Sequence, residues 1–356
     1  MLLDQQTVER IRELSAHMDK ERSFSPGALN IIIEHGWFKL FVPKELGGSM
    51  TSLPDALKIF EYASWVDGNF GWLVTIGAGG GYFASYLNPQ TAKEIFAPSD
   101  ALIAGSGAPN GTAMRTNGGY FVNGKWKFCS GANFATAFTV NCVLQGSDPE
   151  RPEIRAFALS PNQVKIIRDW TAFGLKATES HSIEVENQFV PDERTFSLFE
   201  RLAFVEEPLY DYPFILFAQA SFAAVSMGIC RHLLDEAKTL ADRQKNAWNL
   251  GKTGRYEFVL DHIMEAESEL HASINLFYQT IDRSWEQHLQ RKAFEQEDIQ
   301  NIGMICKQTA RTALKYGQNI FPYLGINAVF EHEPVNRIWR DLQTVCQHTL
   351  LVPFAG

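Results

Sequence analysis

Asn-Gly pairs lie close together in the first half of the chain, among them those at positions 117–118 and 123–124. Asparagine and glycine both accept a positive φ, so the pair is the strongest short-range signal for a tight turn between antiparallel strands. Around the two pairs lie short apolar runs of β type, at 120–122 and 134–142. Runs with helical periodicity lie on both sides. The sequence therefore predicts a β unit placed between two helical units.

The residues before this β unit have the pattern of amphipathic helices. Near the start of the chain, apolar side chains recur at spacings of three and four residues, at Val8, Ile11, Leu14 and Met18. That spacing places them on one face of a helix. Further helical runs follow as far as position 97. We assign residues 1–100 to an N-terminal helical domain.

From about residue 101 to residue 190 the period of the apolar positions changes to two. Turns rich in Gly, Asn, Asp and Pro separate seven candidate strands, at 102–106, 119–122, 125–128, 136–144, 155–159, 164–168 and 181–185. Short strands at this spacing are typical of a small antiparallel barrel or sandwich. We assign residues 101–200 to a central antiparallel β-barrel or sandwich domain.

The helical period returns near Pro208 and persists. The predicted helices are long and are joined by short loops, at 212–248, 256–290, 297–321 and 334–351. Long helices with short connections indicate an antiparallel four-helix bundle. We assign residues 201–356 to this C-terminal bundle, which makes the predicted fold α+β with three domains.

Charge and composition exclude several functions. A net charge of −9 disfavours binding to nucleic-acid phosphates. The five cysteines form no C-x-x-C pair, which favours free thiols in a reducing compartment. The most apolar stretch, at 214–230, falls short of a comfortable membrane span. We expect a cytoplasmic protein that binds neither membrane nor nucleic acid.

Two familiar binding motifs are incomplete. Residues 77–82 nearly match the dinucleotide motif G-x-G-x-x-G, but a tyrosine replaces the last glycine and no strand precedes the run. On a later helix, His262, Glu265 and Glu269 can share one face. A carboxylate-bridged metal site needs matching ligands on a second helix, and none is present in the sequence. We therefore predict no metal site.

Three further side chains are candidates for chemistry. Ser106 and Ser130 lie in glycine-rich turns, where serine is most often a turn residue. His348 lies on the last predicted helix, where Arg340 and Asp341 share its polar face. A single helical histidine is usually a hydrogen-bonded structural residue. These residues alone therefore establish no reaction.

In the order of its domains and in several local motifs, the chain resembles the acyl-CoA dehydrogenase superfamily. The order of helical domain, β domain and four-helix bundle is similar over essentially the whole chain. The likeness is carried by the opening segment, by the turn at 36–48 with its Pro-x-Glu-x-Gly-Gly, and by the Pro-x-x-Arg-x-x-Arg-Asp run at 334–341. The Gly-to-Ser loop at 174–180 also looks like a loop of the family's β domain.

Two chemistries occur in that superfamily. The dehydrogenases hold FAD and use a glutamate base to remove the α-proton of an acyl-CoA. The related monooxygenases take reduced flavin from a separate reductase and oxygenate a small, often aromatic substrate. At 106–109 and 128–131 this chain reads Ser-Gly-Ala-Pro and Phe-Cys-Ser-Gly, which are more similar to the monooxygenases.

The C-terminal residues also depart from the dehydrogenase pattern. The position of the glutamate base of the common dehydrogenases corresponds to Thr349 in this chain, and threonine cannot act as that base. The Gln-His pair of the monooxygenase branch is present at 347–348. One monooxygenase feature differs, because Asn133 and Phe134 occupy the stretch where those proteins commonly have a histidine.

The resemblance implies a flavin-dependent oxidoreductase, nearer to the monooxygenases, that uses reduced FMN or FAD. It implies that Phe128 packs against the isoalloxazine and that Ser130 bonds near flavin N5 or O4. His348 is the candidate acid or base, since imidazole titrates near neutral pH. Ser106 and Trp126 are candidates at the flavin or substrate cleft. The implied partners are a small-molecule substrate, a separate NAD(P)H:flavin reductase, and further copies in a homodimer or homotetramer.

Two alternatives remain open at this stage. One is a true acyl-CoA dehydrogenase whose base lies elsewhere, for example at Glu206, Glu207 or Glu257. The other is a scaffold that has lost flavin and binds a small ligand or a partner protein. Resemblance of fold alone does not separate them.

Overall fold

The computed structural model describes residues 2–197, 201–202, 205–251 and 254–353. Five helices come first in the described chain, Gln5–Glu21 (α1), Pro26–Glu34 (α2), Leu53–Val66 (α3), Gly68–Gly80 (α4) and Pro89–Phe96 (α5). Asp67 ends α3 and starts α4, because its carboxylate accepts a hydrogen bond of 3.0 Å from the Phe70 N–H. This cap sets the direction of α4, the helix that later carries the centre of the candidate site.

Seven strands follow in the described residues, Ile103–Thr116 (β1), Gly119–Cys129 (β2), Ala137–Leu144 (β3), Ile154–Leu159 (β4), Lys165–Ile167 (β5), His181–Pro191 (β6) and Thr195–Phe196 (β7). They form one sheet in the order β5-β6-β2-β1-β3-β4-β7. Every neighbouring pair is antiparallel except β1 and β3. The sheet is therefore mixed, and the prediction of a wholly antiparallel β domain is wrong at that pair.

The path of the chain after β2 explains the parallel pair. β2 returns along β1 through the predicted turn at 117–118, where Thr116 is opposite Gly119. Residues 130–136 then cross the start of β1, and Thr136 N–H donates to the Leu102 carbonyl over 2.9 Å. β3 consequently begins beside the start of β1 and runs in the same direction. The crossing segment begins with Ser130.

The second Asn-Gly pair forms no hairpin. Positions 123–124 lie inside β2, where the register of β2 against β6 shifts between Val122 and Gly124. Asn123 Oδ1 accepts a hydrogen bond of 2.7 Å from the Asn187 N–H. The pair therefore marks a bulge in a continuous strand, a use that Asn-Gly also permits.

Four helices complete the described chain, Phe214–Gly251 (α6), Arg255–Leu289 (α7), Gln296–Leu324 (α8) and Pro334–Val345 (α9). The three long helices agree closely with their predicted ranges, whereas the last ends earlier than predicted. By length and composition α6 could cross a membrane, but 78% of its most apolar window is buried inside the protein. We therefore interpret α6 as a core helix of the bundle.

Candidate functional site

Trp72, in the middle of α4, connects three separate parts of the chain. Its indole Nε1 donates a hydrogen bond of 2.8 Å to Ser130 Oγ, in the segment after β2. Its ring lies 5.1 Å from the ring of Phe222 in α6, measured between centroids. The imidazole of His348, after α9, lies 6.1 Å away. The structure thus brings two predicted site residues, Ser130 and His348, to the same indole.

Ser130 is the first member of a chain of three buried hydroxyls. Its Oγ lies 2.7 Å from Ser180 Oγ, which lies 2.7 Å from Thr178 Oγ1. The Thr178 hydroxyl donates to the Leu175 carbonyl over 2.8 Å. All three hydroxyl residues are at most 5% exposed. Ser130 is therefore held by hydrogen bonds and excluded from bulk water.

The loop at 174–180, which supplies two of these hydroxyls, is held by side chains of two helices. Asn69 of α4 accepts a hydrogen bond of 2.9 Å from the Ala177 N–H. Asp341 of α9 accepts one of 2.5 Å from the Leu175 N–H. Both side chains are buried. The loop backbone is thereby fixed next to Trp72, which lies one helical turn after Asn69.

A buried ion pair ties the same loop to α1. Arg340 donates two hydrogen bonds to Asp19, of 3.0 Å and 2.8 Å, and one of 2.5 Å to the Phe173 carbonyl. Lys176 also contacts Asp19, at 3.2 Å. Burial alone would raise the pKa of Asp19, but the bonds and charge of Arg340 outweigh burial and lower this pKa. A Cβ at Gly174 would lie 2.1 Å from the Arg340 carbonyl, so the loop needs glycine there.

Asp341 has a protonation state unusual for a carboxyl group. Burial raises its pKa to about 8, and the negative charge of Asp67 adds to this effect. The Leu175 N–H and Arg337 act in the opposite direction and do not prevail. Asp341 is therefore largely a neutral acid at pH 7. Its two oxygens accept hydrogen bonds from the Leu175 N–H and from Asn69 Nδ2, and these bonds position the loop.

His348 lies in the turn after α9 and not on the predicted last helix. Its Nδ1 accepts a hydrogen bond of 3.2 Å from the Leu350 N–H, so its proton resides on Nε2. The Phe222 ring is 4.3 Å away. Burial lowers the pKa of His348 to about 4. The expectation that this imidazole titrates near neutral pH is therefore wrong, and at pH 7 it is a neutral N–H donor.

Phe128 is an exposed aromatic residue at the edge of this site. It lies two residues before Ser130, with a positive φ of 66°, and 68% of it is exposed. The edge of its ring meets Trp170 at 6.3 Å between centroids. A bulky residue with positive φ is uncommon, and a large exposed ring indicates a contact surface. Its predicted role, packing against a flavin ring, stays a prediction.

Two other predicted site residues are not joined to this cluster. Trp126 is fully buried in the core beneath the sheet, and its indole N–H donates to the Asn141 carbonyl over 2.9 Å. Its assignment to the flavin or substrate cleft stays a prediction. Ser106 lies within β1 opposite Val140. Between the described residues, no hydrogen bond joins its hydroxyl to Ser130.

The carboxylate nearest in sequence to the hydroxyl chain is turned away from it. Glu179 precedes Ser180, but its side chain accepts hydrogen bonds of 2.9 Å from Ser23 Oγ and the Phe24 N–H. It also accepts one from the amide of Asn133. The asparagine that stands in place of the monooxygenase histidine thus serves to fix Glu179. In the part of the chain that the structure describes, no carboxylate bonds to Ser130 or His348.

The alternative dehydrogenase bases lie in different surroundings. Glu206 and Glu257 are exposed, and Glu207 begins the turn before α6. Thr349 is exposed and carries no acidic group. None of these side chains forms a hydrogen bond with the described residues of the cluster around Trp72. Of these four described residues, none is therefore placed to act as a base at that cluster.

Five residues of the site were not predicted from the sequence, namely Trp72, Phe222, Thr178, Ser180 and Asn69. For Thr178 and Ser180 the only signal was their position in the Gly-to-Ser loop at 174–180, which resembles a loop of the family. The resemblance implied no role for either hydroxyl. Trp72 and Phe222 lie in apolar helical runs, where an aromatic residue indicates core packing. Their role depends on contacts between distant segments.

Comparison with known proteins agrees with this architecture. Residues 220–353 match the family model described as acyl-CoA dehydrogenase, C-terminal domain. Indole-3-acetate monooxygenase of Pseudomonas putida is 27% identical, and the match covers 96% of this chain and 87% of that protein. The oxygenase component of p-hydroxyphenylacetate 3-hydroxylase of Acinetobacter baumannii is 22% identical, with 97% and 83% covered.

Two solved structures share the fold. The 3-HSA hydroxylase from Rhodococcus sp. RHA1 superposes with a TM-score of 0.88 at 20% identity, covering 97% of this chain and 91% of that one. TdsC from Paenibacillus sp. A11-2, solved with FMN and indole, gives a TM-score of 0.75 at 20% identity, covering 98% and 92%. At this identity the superpositions establish the fold alone.

The chain thus has the acyl-CoA dehydrogenase-like fold, and the predicted fold class is confirmed. The resemblance to that superfamily, on the side of its flavin-dependent monooxygenases, is confirmed as well. The predicted class of enzyme, a flavin-dependent oxidoreductase, agrees with the relatives, which are named as monooxygenases and hydroxylases. The domain boundaries and the roles of the individual site residues stay predictions.

Proposed function

We propose that this chain is the oxygenase component of a two-component flavin monooxygenase that acts on a small aromatic substrate. The single observation that carries the proposal is the arrangement around Trp72. Its N–H holds Ser130, its ring packs near Phe222 and His348, and no carboxylate among the described residues bonds to either polar group. This arrangement suits oxygenation better than removal of an α-proton, which requires a base.

The residues beside Trp72 fit the ring system of a flavin. Phe128 offers an exposed aromatic face. Ser130 receives one hydrogen bond from Trp72 and shares a second with Ser180, which leaves its oxygen able to form a third with a ligand atom. A reduced flavin, when bound, supplies the two electrons that let molecular oxygen react with an organic substrate. Ser130 and Phe128 are the residues that would hold and orient it.

His348 has a defined part in this proposal. Its imidazole is neutral at pH 7 and keeps its proton on Nε2, so this N–H is a donor for an oxygen atom of a bound ligand. Burial beside Phe222 also lowers the local dielectric, which strengthens such a bond. We assign His348 to orienting substrate or oxygen by donation, in place of the acid or base role expected from the sequence.

An aromatic substrate is supported by the aromatic side chains that lie beside His348. Trp72 and Phe222 present rings 5.1 Å apart, and the His348 ring lies 4.3 Å from Phe222. Aromatic side chains pair best with an aromatic ligand that stacks or meets them edge to face. The two relatives act on indole-3-acetate and p-hydroxyphenylacetate, as their names state. These two aromatic acids are therefore the first substrates to test.

The test is isotopic. The protein is supplied with reduced FMN or FAD by an NAD(P)H:flavin reductase, with either aromatic acid and with ¹⁸O₂. The control variant is Ser147→Ala, which removes a hydroxyl that donates to the Leu144 carbonyl in a remote turn. With this control we expect a product that carries one ¹⁸O atom. In Ser130→Ala the labelled product should fall at least tenfold. Equal yields from both variants would contradict the role of Ser130, and no labelled product with any aromatic acid would contradict the proposal.

A separate reductase and a cytoplasmic location belong to this proposal. The relative from Acinetobacter baumannii is named as an oxygenase component, which supports a second protein as the source of reduced flavin. All five cysteines are buried and unpaired. Such thiols suit a reducing compartment, where NAD(P)H is also available. Omitting the reductase from the isotopic assay should abolish product, and chemically reduced flavin should restore a single turnover.

We further propose a homo-oligomer, either a dimer or a tetramer. The bundle exposes roughly half of several large apolar side chains on α7 and α8, namely Phe258, Met264, Leu276 and Met304. Exposed apolar residues of this size indicate a protein contact. Light scattering should give a mass near two or four times the 40.1 kDa of one chain. A mass of one chain at micromolar concentration would contradict this.

A further inference from the structure

Several buried polar atoms have no hydrogen-bond partner among the described residues, and four of them belong to elements that meet in one place. They are Arg12 Nε of α1, Asp67 Oδ2 at the start of α4, His232 Nδ1 of α6 and Arg337 Nε of α9. We call these four residues the polar junction. Asp67, His232 and Arg337 are each at most 4% exposed. A buried polar atom without a partner costs free energy on folding, so this group points to a bound ligand.

The backbone at Gly68 shows that three of these elements converge. A Cβ added to this glycine would lie 3.1 Å from Asp341 Cβ of α9 and 3.2 Å from Ile229 Cδ1 of α6. Asp67 is the preceding residue, and Arg337 lies one helical turn before Asp341. The start of α4 is therefore packed against both α6 and α9.

Arg12 reaches the same place from α1. Its Nη2 donates a hydrogen bond of 3.2 Å to the carbonyl of Trp65, two residues before Asp67, and its guanidinium lies 4.5 Å from the centroid of the Trp65 ring. Burial lowers the pKa of His232, and the charges of Arg12 and Asp67 also act on this pKa, in opposite directions. Arg12, Asp67 and His232 thus lie within electrostatic reach of one another.

The two arginines of the polar junction have carboxylates nearby but no direct contact with them. In the described chain, no ion pair involves Arg12 or Arg337. The pKa of Glu236 is nevertheless lowered, by its interaction with His232 and also by the charges of both arginines. Opposite charges therefore surround the junction at a separation too long for direct bonds.

The four unpartnered atoms divide into two donors and two acceptors. Arg12 Nε and Arg337 Nε each carry a proton and donate, whereas Asp67 Oδ2 accepts. His232 Nε2 lies 3.8 Å from Glu236 Oε1, and this carboxylate favours the proton on Nε2. In the neutral imidazole Nδ1 is then the second acceptor.

We propose that the polar junction is a binding site for ordered water that bridges the two guanidinium groups to Asp67 and His232. A buried water both accepts and donates, and it typically forms about three hydrogen bonds. An anion would satisfy only the two donors and would face the charge of Asp67. A metal cation would satisfy only the two acceptors and would face two guanidinium groups. Only a small neutral molecule with donors and acceptors matches all four atoms.

This bridge ties together the two helices that hold the candidate site. Asp67 starts α4, which carries Trp72, and Arg337 belongs to α9, which contacts the loop at 174–180 through Asp341. The bridge therefore adds a second link between α4 and α9, beside the direct hydrogen bond from the Asn69 side chain. The inference does not depend on the proposed function, because no atom of a flavin or substrate enters it.

A crystal structure of the full-length protein that resolves ordered water tests the site. We expect a water about 2.7–3.2 Å from at least two of the four unpartnered atoms. Direct contact of Arg12 or Arg337 with a carboxylate, or a junction without electron density, overturns the inference. Crystals soaked in bromide and in rubidium test for ions, and an anomalous peak at the junction also overturns it.

Relaxation dispersion of water ¹⁷O counts the long-lived internal waters in solution. Arg337→Met removes one donor and places an apolar chain at the junction, so we expect at least one fewer such water per chain than in the wild type. Ser15→Ala is the matched control, because the buried Ser15 hydroxyl donates to the Ile11 carbonyl within α1. Its count should equal that of the wild type. An unchanged count in Arg337→Met overturns the inference.

Thermal unfolding gives a second readout of the same variant. A bridged Arg337 leaves Asp67 and His232 without their partner when it is replaced, so the midpoint of Arg337→Met should fall by at least about 2 °C. A guanidinium buried without any partner would instead be relieved by methionine, and a higher midpoint would overturn the inference. Should Arg337→Met fail to fold, His232→Leu decides, because it removes an acceptor on another helix and should also lose at least one long-lived water.

Discussion

Asn69 and Asp341 lie 272 positions apart in the sequence and share a hydrogen bond of 3.3 Å, from Asn69 Nδ2 to Asp341 Oδ2. Two backbone N–H groups of the loop at 174–180 donate to the same pair of side chains, Ala177 N–H to Asn69 Oδ1 and Leu175 N–H to Asp341 Oδ1. Helices from opposite ends of the chain therefore hold this loop together. The position of the hydroxyl chain beside Trp72 depends on that contact.

Replacing Asn69 tests the contact directly. In Asn69→Ala the buried Ala177 N–H loses its partner, and we expect the free energy of unfolding to fall by roughly 2 kcal/mol. Urea unfolding monitored by tryptophan fluorescence measures the change. Asn162→Ala, at an exposed turn position, should stay within about 0.5 kcal/mol of the wild type. An equal effect of the two substitutions would show that Asn69 does not hold the loop.

Asp341→Asn should change how stability depends on pH. The pKa of Asp341 is raised in the folded protein, to about 8, so between pH 4 and 8 the folded state binds more protons than the unfolded state. Its contribution to stability is complete below pH 4 and is lost as the pH rises towards 8. Asparagine has the same shape and does not titrate.

Relative to the wild type, the Asn variant should therefore become more stable as the pH rises from 6 to 9, by roughly 2 kcal/mol. Unfolding curves of both proteins at each pH give the difference between their free energies of unfolding. The contributions of other titrating groups cancel in this difference. A difference that does not change with pH would mean that Asp341 is already ionised at pH 6.

The buried pair between Arg340 and Asp19 should contribute far more than an exposed one. Arg340→Met leaves Asp19 with Lys176 alone and removes a bond to the Phe173 carbonyl, so we expect a loss of about 3 kcal/mol. Lys58→Met removes an exposed pair with Asp55 and should cost less than about 0.5 kcal/mol. Thermal unfolding of both variants decides, and similar losses would refute the anchoring role of Arg340.

His348 should remain neutral well below pH 6. Burial lowers its pKa to about 4, so as the pH falls from 6.5 to 4 the unfolded state binds a proton that the folded state excludes. Stability from this residue is therefore complete above pH 6.5 and decreases in that window. NMR of the imidazole, assigned with His348→Phe, should show the Nε2–H tautomer at pH 7. A titration midpoint between 6 and 7 would restore the acid or base role.

The periodicity of the chain was sufficient for much of the fold. The predicted range 256–290 corresponds to Arg255–Leu289, and 297–321 to Gln296–Leu324, because long amphipathic helices carry a strong local signal. The parallel pair of β1 and β3 was not predictable in this way. Local patterns specify strands, whereas the order of strands depends on how the chain crosses the start of β1.

The only residues of the candidate site that were predicted are those that lie in motifs resembling the family. Ser130 and His348 were found through motifs, and the structure brings both to Trp72. Trp72 itself gave no signal, since an aromatic residue in an apolar helix indicates packing. The pKa of His348 was misjudged for a related reason, because burial by Phe222 of α6 is a contact between distant segments.

The absorption spectrum of the purified protein tests the central claim most directly. It is recorded first as purified, then anaerobically after addition of an acyl-CoA, and finally after addition of reduced FMN or FAD in place of the acyl-CoA. We predict little flavin absorbance at first, no response to acyl-CoA, and binding of the added reduced flavin. A yellow protein with one FAD per chain that an acyl-CoA bleaches would contradict the monooxygenase assignment and establish a dehydrogenase.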